Sequence, residues 1–569
     1  MSHPTRGIPS AASCAVLPMG IGAAMGVGVA RLITSLSPIT RDPSHYREYA
    51  ALRRLSMLES VHQWQLIAAG AMGCLLVWLG LSLIFRHQGR RLGWGATVGL
   101  CVPVATGAVL LGADPLSETG RSMAVAAVGL AGPGQIIAGF LLMLYPLWLR
   151  SAWRPGRGFV WICSVALAVT SGLWMALVQE ATGDEPSYLL AMHSLVYDHD
   201  FDVANNHARQ DYRHFYPTTI HHGQLLPTLR GVTLPKHSLG LPLLGAAVYK
   251  LGGRLGVSVL CSLITASFAA CVYHLMRRRE IAVALRCWSV VLLCAPLALY
   301  AGQIYPNAAA GVLVVLALLL APRHAVAAGG ATGLIPWFHL GTLPLAIGVC
   351  VVGPRSRKGA LRCLAGALPF WGALAAMHLY FWARLLPPAG AYGQFSPAMI
   401  PAALPGLFLD QESGLLWVAP VWLLMLMGVV ARPRAMVRSE GILLLGWLLY
   451  ISTFNWWYGG WSPTGRFLLP VLGLMALRLG EGLEYAVSWG RRLWLAGGMV
   501  TMVLVSFPLF RFNARDGTHA VLDALGSPGN TLASLLPSLV TFRPWVWTVW
   551  AFALMFLLLL TWHRGRQAV

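Results

Sequence analysis

The residues best suited to chemistry are concentrated in one polar segment, 179–237, which lies between two apolar runs. It holds seven of the 20 acidic residues and seven of the 17 histidines. Asp184 and Glu185 come early in this segment, in the sequence Gly-Asp-Glu-Pro. A carboxylate just beyond an apolar run can act as a general base on a hydroxyl group while the lipid part of a substrate stays in the bilayer. The alternative is N-capping of a helix, with Glu185 supporting the cap.

The same segment carries cations that suit a negatively charged leaving group. The chain has only three lysines, and Lys236, followed by His237, is the one in this segment. We expect Lys236 to face Asp184 and to neutralise a phosphate, with Arg213 and His214 in support. The alternative for Lys236 is interfacial anchoring, in which the stem lies on apolar surface and the ammonium group reaches water.

Metal binding is a weaker hypothesis for this segment. The alternating acids Asp198, Asp200 and Asp202 offer oxygen ligands for a divalent cation, but the glycine and the closing glutamate of a calcium loop do not follow. A solvated turn and support of a neighbouring helix are the alternatives. The histidines show neither the H-x-x-x-H nor the H-E-x-x-H spacing of a zinc site. We therefore expect that no cofactor is required, while a divalent cation remains possible.

Further polar and aromatic residues follow in later loops. The Trp-rich stretch 456–461, with Arg466 after it, is typical of an interfacial aromatic belt, but aromatic rings also stack on sugars and an arginine binds phosphate. Asp410 and Glu412 stand close to an apolar run, where unpaired acids are costly. The candidate substrate-binding residues are therefore Tyr188, His214, Trp457, Trp461, Asp410 and Glu412.

The composition indicates the class of protein in which these residues occur. Of the 569 residues, 57% are hydrophobic and only 11% are charged, which is typical of a polytopic membrane protein. An all-α fold with about 12 to 15 transmembrane helices and juxtamembrane helices is therefore predicted. The clear apolar runs are 63–86, 93–113, 122–149, 157–178, 255–276, 283–301, 304–322, 360–384, 413–431, 439–455, 491–511 and 543–562, and the weaker ones are 15–35, 325–352 (a pair of short helices) and 465–479.

The distribution of charge predicts the orientation of the chain. The net charge of +21 arises from arginines at the ends of the apolar runs, which fall mostly on one side if the runs alternate. By the positive-inside rule that side is cytoplasmic, so no nucleic-acid partner is expected and segment 179–237 faces outward. We expect an integral protein of a bacterial inner membrane, with the active site facing the periplasm or the exterior.

The apolar runs and the loops between them divide the chain into three predicted regions. Residues 1–150 form accessory transmembrane helices, and 151–480 form a core with the outward loops 179–237, 385–412 and 456–466. Residues 481–569 add transmembrane helices and the loop 512–542. Within the main loop, the apolar spacing over 187–197 predicts an amphipathic helix on the membrane surface, with Asp184 at its N-terminus. The short apolar stretch 239–249 is expected to be re-entrant or interfacial.

The order of these motifs resembles the GT-C class of integral membrane glycosyltransferases, especially the protein mannosyltransferase and aminoarabinose transferase group. The resemblance covers about 157–480 and rests on Gly-Asp-Glu-Pro-Ser-Tyr at 183–188, the acids from 198, Leu-Pro-Lys-His at 234–237, Pro-Trp-Phe-His at 336–339, and 456–466. It implies a polyprenyl-phosphate-linked sugar donor, Asp184 as the base with Glu185 beside it, and Lys236, His237 and Arg466 near the phosphate. The soluble lectin-like insertion of the mannosyltransferases is missing, which argues against a protein acceptor; lipid, glycan and protein acceptors all stay open as alternatives.

Two other functions compete with an inverting transfer. In a flippase or permease for a lipid-linked saccharide, the polar loop would only gate a groove. Acids are missing from the middle of the confident apolar runs, which argues against ion-coupled transport but not against passive flipping. A glycan ligase or polymerase would use diphosphate-linked donors instead.

Overall fold

The computed structural model describes residues 134–149, 154–178, 181–217, 219–388, 394–411, 413–437, 439–460, 462–506 and four isolated positions between 548 and 555. The predicted runs 15–35, 63–86 and 93–113, the loop 512–542, most of 543–562, and the candidates Glu412 and Trp461 lie outside these residues.

The described part of the chain is mostly helical, which confirms that part of the fold prediction. Its α-helices are α1 Gln135–Leu144, α2 Arg157–Val178, α3 Glu185–Tyr197, α4 Ala204–Arg209, α5 Gly240–Met276, α6 Ile281–Leu293, α7 Asn307–Leu320, α8 Ala325–Phe338, α9 Leu343–Val352, α10 Arg357–Trp382, α11 Ile400–Leu409, α12 Leu415–Val418, α13 Leu423–Ala431, α14 Ser439–Ser452, α15 Leu472–Tyr485 and α16 Val487–Ser506.

The described residues divide between two compact units. The first includes the described residues 134–149, 177–178 and 502–506, and it contains α1. The second includes the described residues within 154–176 and 181–501. All described residues of the candidate site belong to the second unit.

Three of the described helices are long and apolar enough to cross a membrane, namely α2 over Arg157–Leu177, α5 and α10. Only 17% of the apolar window of α10 is buried inside the protein, so most of the surface of this helix is left uncovered by protein. The other apolar helices have 10 to 17 residues. At 1.5 Å per residue, a 14-residue helix extends about 21 Å, which is less than the ~30 Å of a hydrocarbon core. The larger number of spans therefore stays a prediction.

Helix α5 is interrupted at Gly253, whose φ of 53° and ψ of −145° are not helical. Glycine has no Cβ, so it adopts this conformation readily. The segment before Gly253 corresponds to the predicted short stretch 239–249, and the segment after it corresponds to the predicted run 255–276. The run 325–352 likewise forms two short helices, α8 and α9, as predicted.

Helix α3 forms where the sequence predicts a helix, but it is not amphipathic. Nine of its 13 residues are buried, among them Glu185, Tyr188 and Leu189. It packs against α5, and its apolar side chains join a cluster that includes Tyr212, Phe215 and Leu241. The prediction of an amphipathic helix with one exposed face is therefore wrong, because protein covers most of its circumference; its position at a membrane surface stays a prediction.

A short hairpin interrupts the helical pattern. Strands β1 Leu225–Pro227 and β2 Thr233–Pro235 pair antiparallel, with Leu226 opposite Leu234. The loop between them donates the Leu229 amide to the Phe381 carbonyl, which fixes the hairpin to the end of α10. The expected all-α fold omits this element, whose second strand leads directly into Lys236 and His237.

Candidate active site

Asp184 lies at the N-terminus of α3, but its side chain does not cap the helix. Gly183 before it has a φ of 59°, which turns the chain sharply into the helix. The carboxylate instead forms an ion pair with Arg466, whose Nη2 donates a hydrogen bond to Oδ2. On its other side, Oδ1 lies 3.5 Å from Nε2 of His237. The Asp184 side chain keeps 17% of its exposure, so the carboxylate stays accessible.

Arg466 is held in place by groups from two other segments. It begins a 3-10 helix, Arg466–Val471, directly after Gly465 with a φ of 80°. Its Nε donates to Oδ1 of Asn307 at 3.3 Å, and its Nη1 donates to the carbonyl of Gly459 at 3.3 Å. The guanidinium carbon lies 4.6 Å from the ring centre of Tyr305. Only the end of the side chain is left to meet Asp184.

The charges of the pair stabilise each other. Burial alone would raise the pKa of Asp184, but the positive charge of Arg466, a smaller contribution from His237 and the hydrogen bond from Arg466 lower this pKa from 3.8 to about 2. Burial disfavours a charged Arg466, yet the Asp184 carboxylate raises the arginine pKa above its ordinary value. Asp184 is therefore ionised at neutral pH.

His237 completes the cluster. Burial lowers its pKa, the carboxylate of Asp184 opposes this, and the positive charges of Arg466 and Lys236 add to it. Its Nε2 lies 2.7 Å from Oε1 of Gln224 as well as close to Asp184, so a proton on Nε2 faces two acceptors. Its ring lies 5.1 Å from that of Tyr188, measured between centroids.

His339 belongs to the same cluster, and the sequence analysis did not select it as a site residue. It lies in extended conformation between α8 and the 3-10 helix Leu340–Thr342, and its ring meets the edge of Phe467 at 5.9 Å. Burial first, and then the positive charge of Arg466, lower its pKa from 6.5 to about 3. The Pro-Trp-Phe-His motif was the signal that could have identified this histidine.

Glu185 has a different part from its neighbour. It is 1% exposed, and its Oε1 accepts the amide of Ile304 at 2.7 Å while Oε2 accepts the amide of Thr182 at 2.9 Å. These bonds tie the start of α3 to the segment before α7. Tyr305 adds a third link, because its hydroxyl donates to the Thr182 carbonyl at 3.3 Å. The contacts favour a positioning role for Glu185, as its capping alternative predicts.

The predicted phosphate-binding cations are not all brought together. The prediction that Asp184 faces Lys236 needs correction, because the carboxylate meets Arg466 and His237. Lys236 lies next to His237, is partly exposed, and forms no ion pair within the described residues. Arg213 donates to the Pro217 carbonyl at 2.6 Å and to Gln210 Oε1 at 3.2 Å, so it is engaged in its own loop.

His214 lies near the other end of α3. Its exposed ring stacks 6.5 Å from that of His193, whose Nδ1 is 3.2 Å from the Tyr249 hydroxyl. His193 is nine residues beyond Asp184, which corresponds to roughly 13 Å along the helix. The structure therefore does not place His214 with the Asp184 cluster.

The acids at 198, 200 and 202 hold the loop after α3 in place. Asp198 accepts hydrogen bonds from Asn205, Asn206 and Arg209. Asp200 accepts from the Ser194 hydroxyl, and Asp202 accepts from the Thr233 amide of β2. Among the described residues, no group of three His, Cys, Asp or Glu side chains is arranged to hold a metal ion. The bonds to Asp198, Asp200 and Asp202 favour support of the helix.

Two further substrate-binding candidates are buried. Trp457 is 5% exposed and packs against Tyr458, whereas Trp456 is 38% exposed. Asp410 is 5% exposed, and its Oδ1 accepts the amide and the hydroxyl of Ser413. Asp410 thus stabilises the turn before α12. Of the neighbouring rings Trp456 and Trp457, Trp456 is the exposed one. Tyr188 is also buried, and its ring packs against the ring of His237.

A small cleft with about 20 Å³ of free space lies beside His237. Its walls come from β2, from the end of α8 and from the C-terminal turns of α10; apolar Leu234, Pro336, Leu340, Leu374, Met377 and Trp382 line it together with polar His237, Ser238 and His378. The site thus combines an accessible carboxylate, a fixed guanidinium and a small adjoining cleft. Comparison with protein-family models, with curated proteins and with solved structures finds no match to the chain.

Proposed function

We propose that the chain is a membrane glycosyltransferase of the GT-C type, which moves a sugar from a polyprenyl-phosphate donor to a lipid, glycan or protein acceptor. The observation that carries the proposal is the ion pair of Asp184 and Arg466, which adjoins His237 at the edge of a small cleft. A carboxylate that is ionised and accessible is a suitable general base, and a fixed guanidinium is a suitable phosphate ligand.

The reaction uses these groups in one displacement. Asp184 accepts the proton of the acceptor hydroxyl, and the acceptor oxygen forms a bond to the anomeric carbon of the sugar. The bond from that carbon to the phosphate oxygen breaks, and polyprenyl phosphate leaves with the electron pair. Arg466 and Lys236 stabilise the charge that develops on the phosphate. Attack from the face opposite the phosphate inverts the anomeric centre.

The ion pair also explains how donor binding would prepare the base. A carboxylate with a pKa of about 2 holds a proton weakly. A donor phosphate competes with Asp184 for the guanidinium of Arg466, and it adds negative charge beside the carboxylate. Burial, which raises the pKa of Asp184, then dominates. The carboxylate becomes a stronger base only when the donor is in place.

The surroundings of the cleft favour a lipid-linked donor. The cleft borders the C-terminal turns of α10, the helix whose apolar surface is mostly left uncovered by protein. An isoprenoid chain attached to a phosphate beside Arg466 could therefore lie on the apolar surface of α10. Burial of such a chain contributes about 0.8 kcal/mol per CH₂ group, so a short contact gives substantial affinity.

The proposal is tested with Asp184→Asn, which keeps the size of the side chain and removes its basicity. Asp198→Asn in the same loop is the matched control, because Asp198 accepts hydrogen bonds away from the cluster. Purified protein is assayed for sugar transfer and for binding of polyprenyl phosphate. We expect Asp184→Asn to lose at least about a hundredfold in transfer while it still binds the lipid. Transfer at the wild-type rate would refute Asp184 as the base.

Two further measurements separate the competing functions. Proteoliposomes that move a lipid-linked saccharide across the bilayer without any transfer would favour a flippase. Assays with monophosphate-linked and diphosphate-linked donors separate a transferase from a ligase or polymerase. We expect turnover of the monophosphate, because one guanidinium and one ammonium group match one phosphate. Turnover of diphosphate donors alone would overturn the choice of donor.

A further inference from the structure

The backbone amide and carbonyl of His339 form hydrogen bonds, whereas its side-chain Nδ1 atom forms none with the described residues. Its carbonyl accepts from the amide and from the hydroxyl of Thr342, and its amide donates to the Ile335 carbonyl. The next residue, Leu340, donates its amide to the hydroxyl of Ser238, which fixes this segment to the loop of His237. In contrast, the Nδ1 atom of His339 is buried and has no hydrogen-bond partner among the described residues.

A buried nitrogen without a partner is costly, and such atoms in native proteins call for an explanation. The ring of His339 packs on Phe467, the neighbour of Arg466, and Gly341 lies on its other side. A Cβ atom on Gly341 would stand only 2.9 Å from Cε1 of the imidazole. Glycine at this position therefore accommodates the ring in its present orientation, and among the described residues nothing but the ring's own contacts holds it there.

We propose that His339 is a further donor-binding residue, whose neutral imidazole donates a hydrogen bond from Nδ1 to the phosphate that Arg466 binds. This inference rests on the proposed function, since it names a second ligand of the same phosphate. A ring that turns away from Gly341 presents Nδ1 to a phosphate oxygen and gives the nitrogen the acceptor that it lacks. Because the imidazole carries no charge, it adds a bond without another charge to bury.

The experiment compares binding of farnesyl phosphate and of farnesol, which lacks the phosphate, to the full-length protein by tryptophan fluorescence. His339→Leu removes both ring nitrogens, His339→Asn keeps a nitrogen near the position of Nδ1, and His339→Gln keeps one near Nε2. His324→Leu, at the exposed N-terminal end of α8, is the control. Thermal unfolding of each variant reports on folding.

We expect His339→Leu to weaken binding of farnesyl phosphate about tenfold or more, which is the effect of one hydrogen bond to a charged group. Binding of farnesol stays unchanged. His339→Asn restores most of the affinity, and His339→Gln does not. The difference between wild type and His339→Leu is constant from pH 6 to 8.5, because a histidine with a pKa of about 3 stays neutral there.

Three results would overturn the inference: no binding of farnesyl phosphate to the wild type, equal binding to His339→Leu, or equal losses for farnesyl phosphate and farnesol. Ring position is tested by Gly341→Ala, whose Cβ would stand 2.9 Å from Cε1 in the present ring orientation and therefore favours the turned ring. We expect binding of farnesyl phosphate to be kept or strengthened, and a loss as large as that of His339→Leu would contradict the rotation. If binding depends on His339 but no sugar is transferred, the proposed function fails and this inference stands.

Discussion

Replacing Arg466 by glutamine would separate the two forces that act on Asp184. In the native protein the pKa of Asp184 is lowered from 3.8 to about 2, a change of roughly two units. At 1.36 kcal/mol per unit, this corresponds to about 2.5 kcal/mol in favour of the ionised, folded form. In Arg466→Gln the burial remains and the guanidinium is lost, so the pKa rises above 3.8. The expected loss of stability at neutral pH is about 3 to 5 kcal/mol, as for other broken buried pairs.

The dependence on pH follows from the direction of each shift. A lowered folded-state pKa gives stability that is present above about pH 4 and is lost as the pH falls toward 2. In Arg466→Gln the folded-state pKa of Asp184 is raised, so its destabilisation is greatest at neutral pH and is relieved as the carboxylate takes up a proton. The difference between the two proteins should therefore shrink on acidification.

The assay is thermal unfolding in detergent at pH 7.5 and at pH 4, followed by tryptophan fluorescence. Arg466→Gln should melt several degrees below the wild type at pH 7.5, with a smaller gap at pH 4. Asp184→Asn combined with Arg466→Gln should recover part of the loss, because no unpaired charge remains buried. An equal gap at both pH values, or a double variant less stable than Arg466→Gln, would refute the buried ion pair as the source.

Three other predictions address the surroundings of the site. Glu185→Ala leaves the buried amide of Ile304 without its acceptor and should cost about 1 to 3 kcal/mol in thermal or denaturant unfolding; an unchanged midpoint would contradict its positioning role. Gly459→Ala should lower transfer activity, because a side chain at a φ of 94° strains the loop whose carbonyl holds Arg466; Gly446→Ala, with open space around it, is the control. Transfer should persist after treatment with a metal chelator, and its loss with rescue by a divalent cation would show that a metal is needed.

The apolar runs of the sequence predict the positions of the helices better than they predict which helices pack together. Helix α2 has the bounds of its predicted run, because a long apolar stretch starts at Arg157 and ends before a polar segment. The interruption of α5 was foreshadowed by polar residues between two apolar stretches. The burial of α3 was not predictable from its spacing, since it depends on α5 and on the loop after α3 that folds over it.

Prediction of the site from the sequence was limited in the same way, because it also depends on contacts between distant segments. Asp184 was selected because an acid stood directly beyond an apolar run, but its partner Arg466 is 282 residues away in the chain. Only the folded chain shows that Arg466, and not Lys236, meets the carboxylate. Adjacent helical residues point about 100° apart, so Asp184 and Glu185 face different surroundings and take different parts. Residue type alone could not separate them.

If the longer portion of α5 crosses a bilayer, as its length and composition allow, the interruption at Gly253 has a consequence for how the protein responds to that membrane. An unbroken helix of 37 residues would measure about 55 Å, far more than the ~30 Å of a hydrocarbon core. The portion from Arg254 to Met276 alone measures about 35 Å and suffices to match the bilayer. The portion before Gly253, which begins beside His237, is thereby released from hydrophobic matching. Thickening or thinning the bilayer can tilt the longer portion while the chemistry at the other end keeps its geometry.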